Sequence, residues 1–297
     1  MKQWLNGISY ECAFWSSIYQ NKKQRDSLFR WSNYGRELSL HNFEAVKFLD
    51  TREDSGKNSP IVLDVGCGLS YCTGNLRHGK PIDLHYVDPL APFFNKIIKR
   101  STMKCSQIEF GMIEFLSAFY NHHDVALIMV QNALDHCVDP MKGIYEALDS
   151  LETGGILYLK HYPNEAVKEN YRGFHQFNID EESGNLIIWN RTEHRNITEE
   201  LRTYATIKVS RYHQPEEVVA IVTKTAPLPQ GIINDKADKA LLCRRLIAAA
   251  EAFDSPSFAF QYHLQRIYFK LIQTLARFIN RDTKEFIKRI LRNYQKK

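Results

Sequence analysis

A chain of 297 residues with 44% apolar content can bury one large α/β core, or one core with a small appendage, and is not expected to hold two equal domains. Its formal charge of +5 sits at one end: residues 276–297 carry eight basic and two acidic side chains, which leaves the rest at −1 and argues against a nucleic-acid enzyme with a basic groove across its body. With no run of about 18 apolar residues, and no basic head, apolar stretch and small-residue cleavage site in residues 1–14, the protein is expected to be soluble, intracellular and cytoplasmic.

In chain order, residues up to about 50 read as helices rich in aromatics (Trp4, Tyr10, Phe14, Trp15, Tyr19, Phe29, Trp31, Tyr34). They form an expected N-terminal helical cap over 1–55, and its polar linker at 51–60 contains Asp-Ser-Gly and Asn-Ser-Pro steps that break regular structure. Short apolar runs at 61–65, 85–87, 107–110, 125–130 and 156–160 then alternate with intervals long enough for crossovers. That alternation predicts a parallel sheet covered on both faces, in a core domain over 56–230.

After Pro163 the pattern changes. A helix to about Asn170 precedes strand candidates at 186–190, 206–210 and 217–224, expected as extra or antiparallel strands near the end of the sheet, with inserted strands at about 171–205. Pro227 and Pro229 close this region, and 231–297 is expected as a basic amphipathic helical extension, because Phe269, Ile272, Leu275, Phe278, Ile279, Phe286, Ile290 and Leu291 recur at helical spacing. Six cysteines (Cys12, Cys67, Cys72, Cys105, Cys137, Cys243) form no CxxC pair and are expected as free thiols. Cys67 and Cys72 lack the second ligand pair that a zinc site needs.

Residues 61–68, Ile-Val-Leu-Asp-Val-Gly-Cys-Gly, are an apolar strand entering a turn with glycine at alternate positions. Glycine suits a sharp turn that a ligand approaches without meeting a Cβ, and a helix following the turn is expected to offer its free N–H groups to the same place. Asp64, two before Gly66, favours a cationic ligand such as a sulfonium or ammonium group over a pyrophosphate. The dinucleotide fingerprint wants a small residue where Tyr71 stands. A second strand, 84–88, ends in Asp88, 20 residues beyond Gly68, the spacing that puts a carboxylate on ribose hydroxyls.

These residues resemble the D-x-G-x-G motif and second-strand acid of the class I methyltransferases that use S-adenosylmethionine. Residues 124–136 look like that family's fourth strand and following loop, and Leu151-Glu152-Thr153-Gly154-Gly155 like its L-x-x-G-G turn into the fifth strand. The resemblance covers 61–163, and it implies a Rossmann-like, doubly wound, mostly parallel sheet with helices on both faces. Carried over residue by residue, it puts Asp64, Gly66, Cys67 and Gly68 along the methionine and ribose portion of the cofactor, and Asp88 with Pro89 at the ribose. Met112 and Ile113 flank the adenine, and Gln131, Asn132 and His136 lie beside the cofactor at the sheet's switch point. Ser70 replaces the third motif glycine, and Gly111-Met112-Ile113-Glu114 stands where the family often has Gly-Asp-Ala, so the adenine amino group is left to a backbone carbonyl or to Glu114.

Methyl transfer from a sulfonium is an in-line displacement, and a hydroxyl acceptor needs a base for its proton. The polar run after the fifth strand, at 160–166 and 171–178, lies at the carboxyl end of the sheet, where ligands bind. His161 is read as general base, with Glu165 or His175 orienting it or the acceptor. Asp135, His136, His161, Glu165 and His175 combine carboxylate and imidazole donors able to hold a divalent ion, but the sequence does not fix their geometry and no metal is assigned.

The cassettes at 161–166 and 173–178, with Glu11-Cys-Ala-Phe-Trp15, look similar to bacterial methyltransferases of polysaccharide and surface-glycan clusters, which implies a sugar hydroxyl as acceptor and a role in polysaccharide biosynthesis. Methylation of RNA or a protein side chain is the alternative, although Gln131-Asn132-Ala133-Leu134 stands where the N-P-P-Y tetrad of nucleobase amino-methylating relatives is found. A further alternative is a partner subunit that binds the cofactor without turnover. Tyr10, Phe14 and Trp15 are placed to fold over an adenine or sugar ring, and the basic tail to lie on the body, against anionic lipid at the inner face of a membrane, or against nucleic acid.

Overall fold

The computed structural model describes residues 2–38, 49–50, 60–100, 105–120, 124–229, 232, 240–241, 244–245, 248, 251 and 255–278. Residues 51–59 of the linker, Cys243 and the basic run from 279 onward lie outside them. Two helices, α1 (Lys2–Gln20) and α2 (Lys22–Trp31), precede β1 (Ile61–Val65). Asn21 separates the helices and caps the second, its side chain accepting the Gln24 N–H.

The main sheet has seven strands. The hairpin β2 (Leu76–Arg77) and β3 (Lys80–Pro81) leads to β4 (Asp83–Asp88), then α3 (Ala91–Lys99), β5 (Glu109–Phe110), a 3₁₀ segment at Ile113–Ala118 and β6 (Val125–Gln131). α4 (Pro140–Ser150) runs directly into β7 (Leu151–His161). The insertion contains α5 (Glu165–Lys168), β8 (Asn178–Glu182), β9 (Asn185–Trp189), β10 (His194–Asn196) and α6 (Ile197–Leu201), and is followed by β11 (Ala205–His213) and β12 (Glu216–Lys224). Strand order is β11-β12-β7-β6-β1-β4-β5, parallel from β5 through β7, with β12 antiparallel to both of its neighbours. The order reverses between β1 and β6, which makes a doubly wound, Rossmann-like sheet whose crevice opens at the carboxyl ends of these two strands.

Strand periodicity explains the layers. Leu63, Val65, Ile128, Val130, Leu157 and Leu159 point to one face and bury against Ile144 and Leu148 of α4 and Ile179, Leu186 and Ile188 of the insertion. Val62, Leu127, Met129, Ile156 and Tyr158 point to the other face, under Leu38 and Leu49.

Three expectations change. No helix follows the glycine turn: residues 66–75 wind as turns and coil, because Tyr71 takes a left-handed φ of 47° and buries its ring against Tyr34 and Tyr86. Gly74 also lets the 36–37 backbone pass where a Cβ would lie 2.2 Å from the Glu37 carbonyl oxygen. Residues 186–190 join a separate sheet, β10-β9-β8, rather than the end of the main one. The strand expected at 107–110 pairs only through Glu109 and Phe110. In the C-terminal region, α7 (Pro256–Phe278) lies along α1, with Phe269 against Tyr10 and Phe14, and the Tyr262 and Ser16 hydroxyls 3.0 Å apart.

Candidate active site

A cavity of about 510 Å³ opens at the β1/β6 switch point, between the strand ends and α1. Its floor begins at the glycine turn. Gly66 (φ 72°) donates its N–H to the Val87 carbonyl at 2.8 Å, which ties the end of β1 to that of β4. A Cβ on Gly66 would lie 2.4 Å from the Ala133 Cβ, and one on Gly68 (φ 55°) 2.9 Å from the Trp15 ring. Both positions therefore demand glycine for conformation and for space.

Asp88 stands beside this turn. Its carboxylate accepts the Gly68 N–H at 3.0 Å and the Leu90 N–H at 2.7 Å, so β4 and the glycine turn fix its orientation toward the cavity. Burial pushes its carboxyl up to about 7, against the pull of those two N–H groups. Cys67, Pro89, Met112, Ile113, Gln131, Asn132 and His136 line the same cavity, as do Gly66 and Gly68.

Asp64 is placed differently. The strand alternation that points Leu63 and Val65 to one face turns Asp64 toward the other, behind the cavity wall, with a Thr73 hydrogen bond on one side and an Oδ2 that has no partner among the described residues. Burial raises its carboxyl to about 6.

At the far end of the cavity stand His161, closing β7, and Glu165, opening α5 after a left-handed Asn164. His161 is 2% exposed, and neither ring nitrogen has a hydrogen-bond partner among the described residues. Burial drives its pKa down to about 4, which leaves the ring neutral at pH 7. Burial, followed by the charge of Asp135, pushes Glu165 up to about 7. His175 Nδ1 lies 2.8 Å from Asp135 Oδ2 and 3.1 Å from His136 Nε2. Although burial opposes it, the bond to Asp135 raises His175 to about 9; burial also works against Asp135, yet His136 and His175 hold its carboxyl below the usual range.

His161, Glu165 and His175 all line this cavity, and Asp135, weighed in the sequence only as a metal donor, bonds His175. Contributors that sequence reasoning left out of the site are Trp4, Glu169, Phe174 and Glu217. Phe174 had a detectable neighbour in Gly7: a Cβ there would lie 2.3 Å from the Phe174 ring, so α1 packs closely against the 173–175 loop and stacks Trp4 on Phe174 at 5.4 Å. Tyr10, Phe14 and Trp15 all line the cavity, and Trp15 Nε1 donates to Glu11 Oε1 at 2.8 Å.

Six carboxyl groups line the cavity, Glu11, Asp88, Glu114, Glu165, Glu169 and Glu217, with Asp88 and Glu165 raised to about 7; they face the Lys160 amine, which pairs with Glu217 at 3.2 Å, and the His175 imidazole, raised to about 9. Such a wall attracts a cationic ligand and repels phosphates.

No protein-family model and no curated protein matches the chain. Solved structures with a partial likeness include the CurJ carbon methyltransferase, at 16% identity and a TM-score of 0.39 over 57% of this chain and 50% of that one, so that the match spans half of its length. An S-adenosylmethionine-dependent methyltransferase from Clostridium acetobutylicum matches at 11% identity and a TM-score of 0.39, over 62% of this chain and 93% of that one. CalS10, an amino pentose methyltransferase from Micromonospora echinaspora, matches at 12% identity and a TM-score of 0.36, over 63% of this chain and 92% of that one.

Proposed function

We propose that the cavity binds S-adenosylmethionine and that the protein methylates a hydroxyl of a saccharide or another small hydroxylated acceptor. The observation that carries this reading is the pairing of Asp88 with the glycine turn in an acid-lined cavity. Two positive-φ glycines shape the turn, with Ala133 and Trp15 packed where a Cβ would lie, and a buried carboxylate stands beside them with its orientation fixed by two N–H bonds. A diol donating to Asp88 stabilises its ionised form, and the six carboxylates of the lining favour a ligand carrying sulfonium and ammonium charge.

The cofactor, when bound, supplies an electrophilic methyl group. The chain's own side chains supply the rest. Neutral His161, with both nitrogens unbonded among the described residues, accepts a hydrogen bond from the acceptor hydroxyl. Glu165, whose carboxyl sits close to neutral pH, is matched to take the proton. Trp4, Phe14, Trp15 and Phe174 cover the cavity on the α1 side and limit water.

The same acid-rich lining disfavours RNA as acceptor, because each phosphate brought to the cavity meets like charge. Calorimetry with S-adenosylhomocysteine, NAD⁺ and ATP, followed by an assay for S-adenosylhomocysteine release with a panel of glycans, tests the proposal. Binding of the first ligand alone, with turnover on a hydroxylated acceptor, is the expected result. Tight binding of ATP or NAD⁺ in its place overturns the cofactor reading, and binding without turnover on any acceptor favours a partner subunit.

A further inference from the structure

Three donor atoms converge at the acceptor end of the cavity. His175 Nδ1, His136 Nε2 and Asp135 Oδ2 are separated by 2.8 Å, 3.1 Å and 3.5 Å. They form a compact triangle whose hydrogen-bond roles depend on which ring nitrogens carry protons: His175 Nδ1 can donate to Asp135, and His136 Nε2 can either accept from His175 or donate toward Asp135. A point about 2.1 Å from all three atoms, the ordinary metal–nitrogen and metal–oxygen distance, lies about 1 Å outside their plane by the geometry of those separations. The triangle therefore has the dimensions of one face of a coordination sphere.

A second observation, independent of the triangle, points to a ligand here. Among the described residues, Asp135 Oδ1 is buried without a hydrogen-bond partner. A fully buried carboxylate oxygen left unbonded carries a desolvation penalty that a bound cation offsets. His136, His161 and His175 all line the cavity that holds the glycine turn and Asp88, so an open coordination position there faces the same space.

We infer that Asp135, His136 and His175 bind a divalent transition-metal cation, and that its open face holds the acceptor oxygen. Two imidazoles and one carboxylate suit manganese, iron, cobalt, nickel or zinc, whereas magnesium and calcium favour all-oxygen shells. A cation at this point polarises the acceptor hydroxyl and eases loss of its proton to Glu165. That second role rests on the methyl-transfer reading; the binding site itself does not.

The test uses untagged, chelator-treated full-length protein titrated with Co²⁺ and Zn²⁺ by calorimetry, with the Co²⁺ visible spectrum and the Mn²⁺ resonance signal as independent readouts and Mg²⁺ as the contrast. The expected result is one transition-metal ion per chain, bound at least tenfold tighter than Mg²⁺. His136→Ala and Asp135→Asn should each weaken Co²⁺ binding at least tenfold and alter its spectrum, with circular dichroism confirming that each variant is folded. His136→Gln serves if the alanine variant does not fold. Asp88→Ala should lose S-adenosylhomocysteine binding and keep the metal. Absence of saturable Co²⁺, Zn²⁺ and Mn²⁺ binding, or binding unchanged in folded His136 and Asp135 variants, overturns the site even if S-adenosylhomocysteine binds. Metal bound without any S-adenosylhomocysteine binding leaves the site standing and removes its assigned role.

Discussion

Asp88 offers the sharpest test, because its surroundings make cofactor affinity depend on pH in a calculable way. The carboxyl is 6% exposed and pushed up to about 7 by burial, while its two oxygens accept N–H bonds of 3.0 Å from Gly68 and 2.7 Å from Leu90. Ribose hydroxyls donate more strongly to the ionised form, whose oxygens carry no proton of their own, so binding selects the carboxylate and releases a proton. One pH unit below the titration point, affinity should fall by about tenfold relative to the alkaline plateau. Calorimetry with S-adenosylhomocysteine at pH 6 and pH 9, in buffers of different ionisation heat, should show that loss together with uptake of nearly one proton by the buffer at pH 6. Asp88→Asn should flatten the profile and weaken binding at pH 9 by ~10- to ~150-fold, the equivalent of one charge-assisted hydrogen bond of about 1.5–3 kcal/mol. Because the amide can accept only one of the two N–H groups, the variant's fold must be checked by circular dichroism. A wild-type affinity that does not change with pH refutes the reasoning. A pH slope that survives in a folded Asp88→Asn variant moves the titration to Glu165, the other lining carboxyl raised to about 7.

Asp64 should report through stability. Its carboxyl is raised above the unfolded value to about 6, so its favourable contribution is complete below about pH 4 and is lost as pH rises through 6. Asp64→Asn should then stabilise the ligand-free protein at pH 8 by up to about 3 kcal/mol and little at pH 4, as read by urea unfolding. Gly66→Ala forces a φ of 72° on an L-residue and a 2.4 Å clash with Ala133, and should cost at least 2 kcal/mol of stability, on the order of the combined backbone strain and overpacking terms. Differential scanning calorimetry checks it, and an unchanged melting temperature contradicts the close approach. Glu165→Gln should lower turnover by about 10²- to 10⁴-fold and leave S-adenosylhomocysteine affinity near wild type; a loss in both would make Glu165 a cofactor ligand.

Much of the sheet was legible before any coordinates. β1, β6 and β7 are runs of Val, Ile and Leu because a parallel strand is buried on both faces, and such runs stand out locally. The glycine turn and Asp88 were legible too, since a strand end followed by alternate glycines, and an acid 20 residues on, are constraints carried by backbone conformation and spacing. The helix expected after the glycine turn does not form because the competing force is tertiary: Tyr71 gains a buried aromatic cluster with Tyr34 and Tyr86 that no local pattern announces. Likewise 186–190 reads as a strand on its own residues, but its partner strands are set by the short turns at 183–184 and 191–192, which close a separate sheet.

By itself the sequence determined most of the parallel strands, the glycine turn and the acid at 88, because hydrophobic period and glycine conformation act over a few residues, while the doubly wound order was what the family resemblance implied. Tertiary structure alone decided that Asp64 turns behind the cavity wall, that α1 covers the cavity and that Asp135, His136 and His175 meet within 3.5 Å. Those facts depend on strand facing and on how an insertion folds back over the sheet. Donors about 40 residues apart carry no mutual signal until packing brings them to one point.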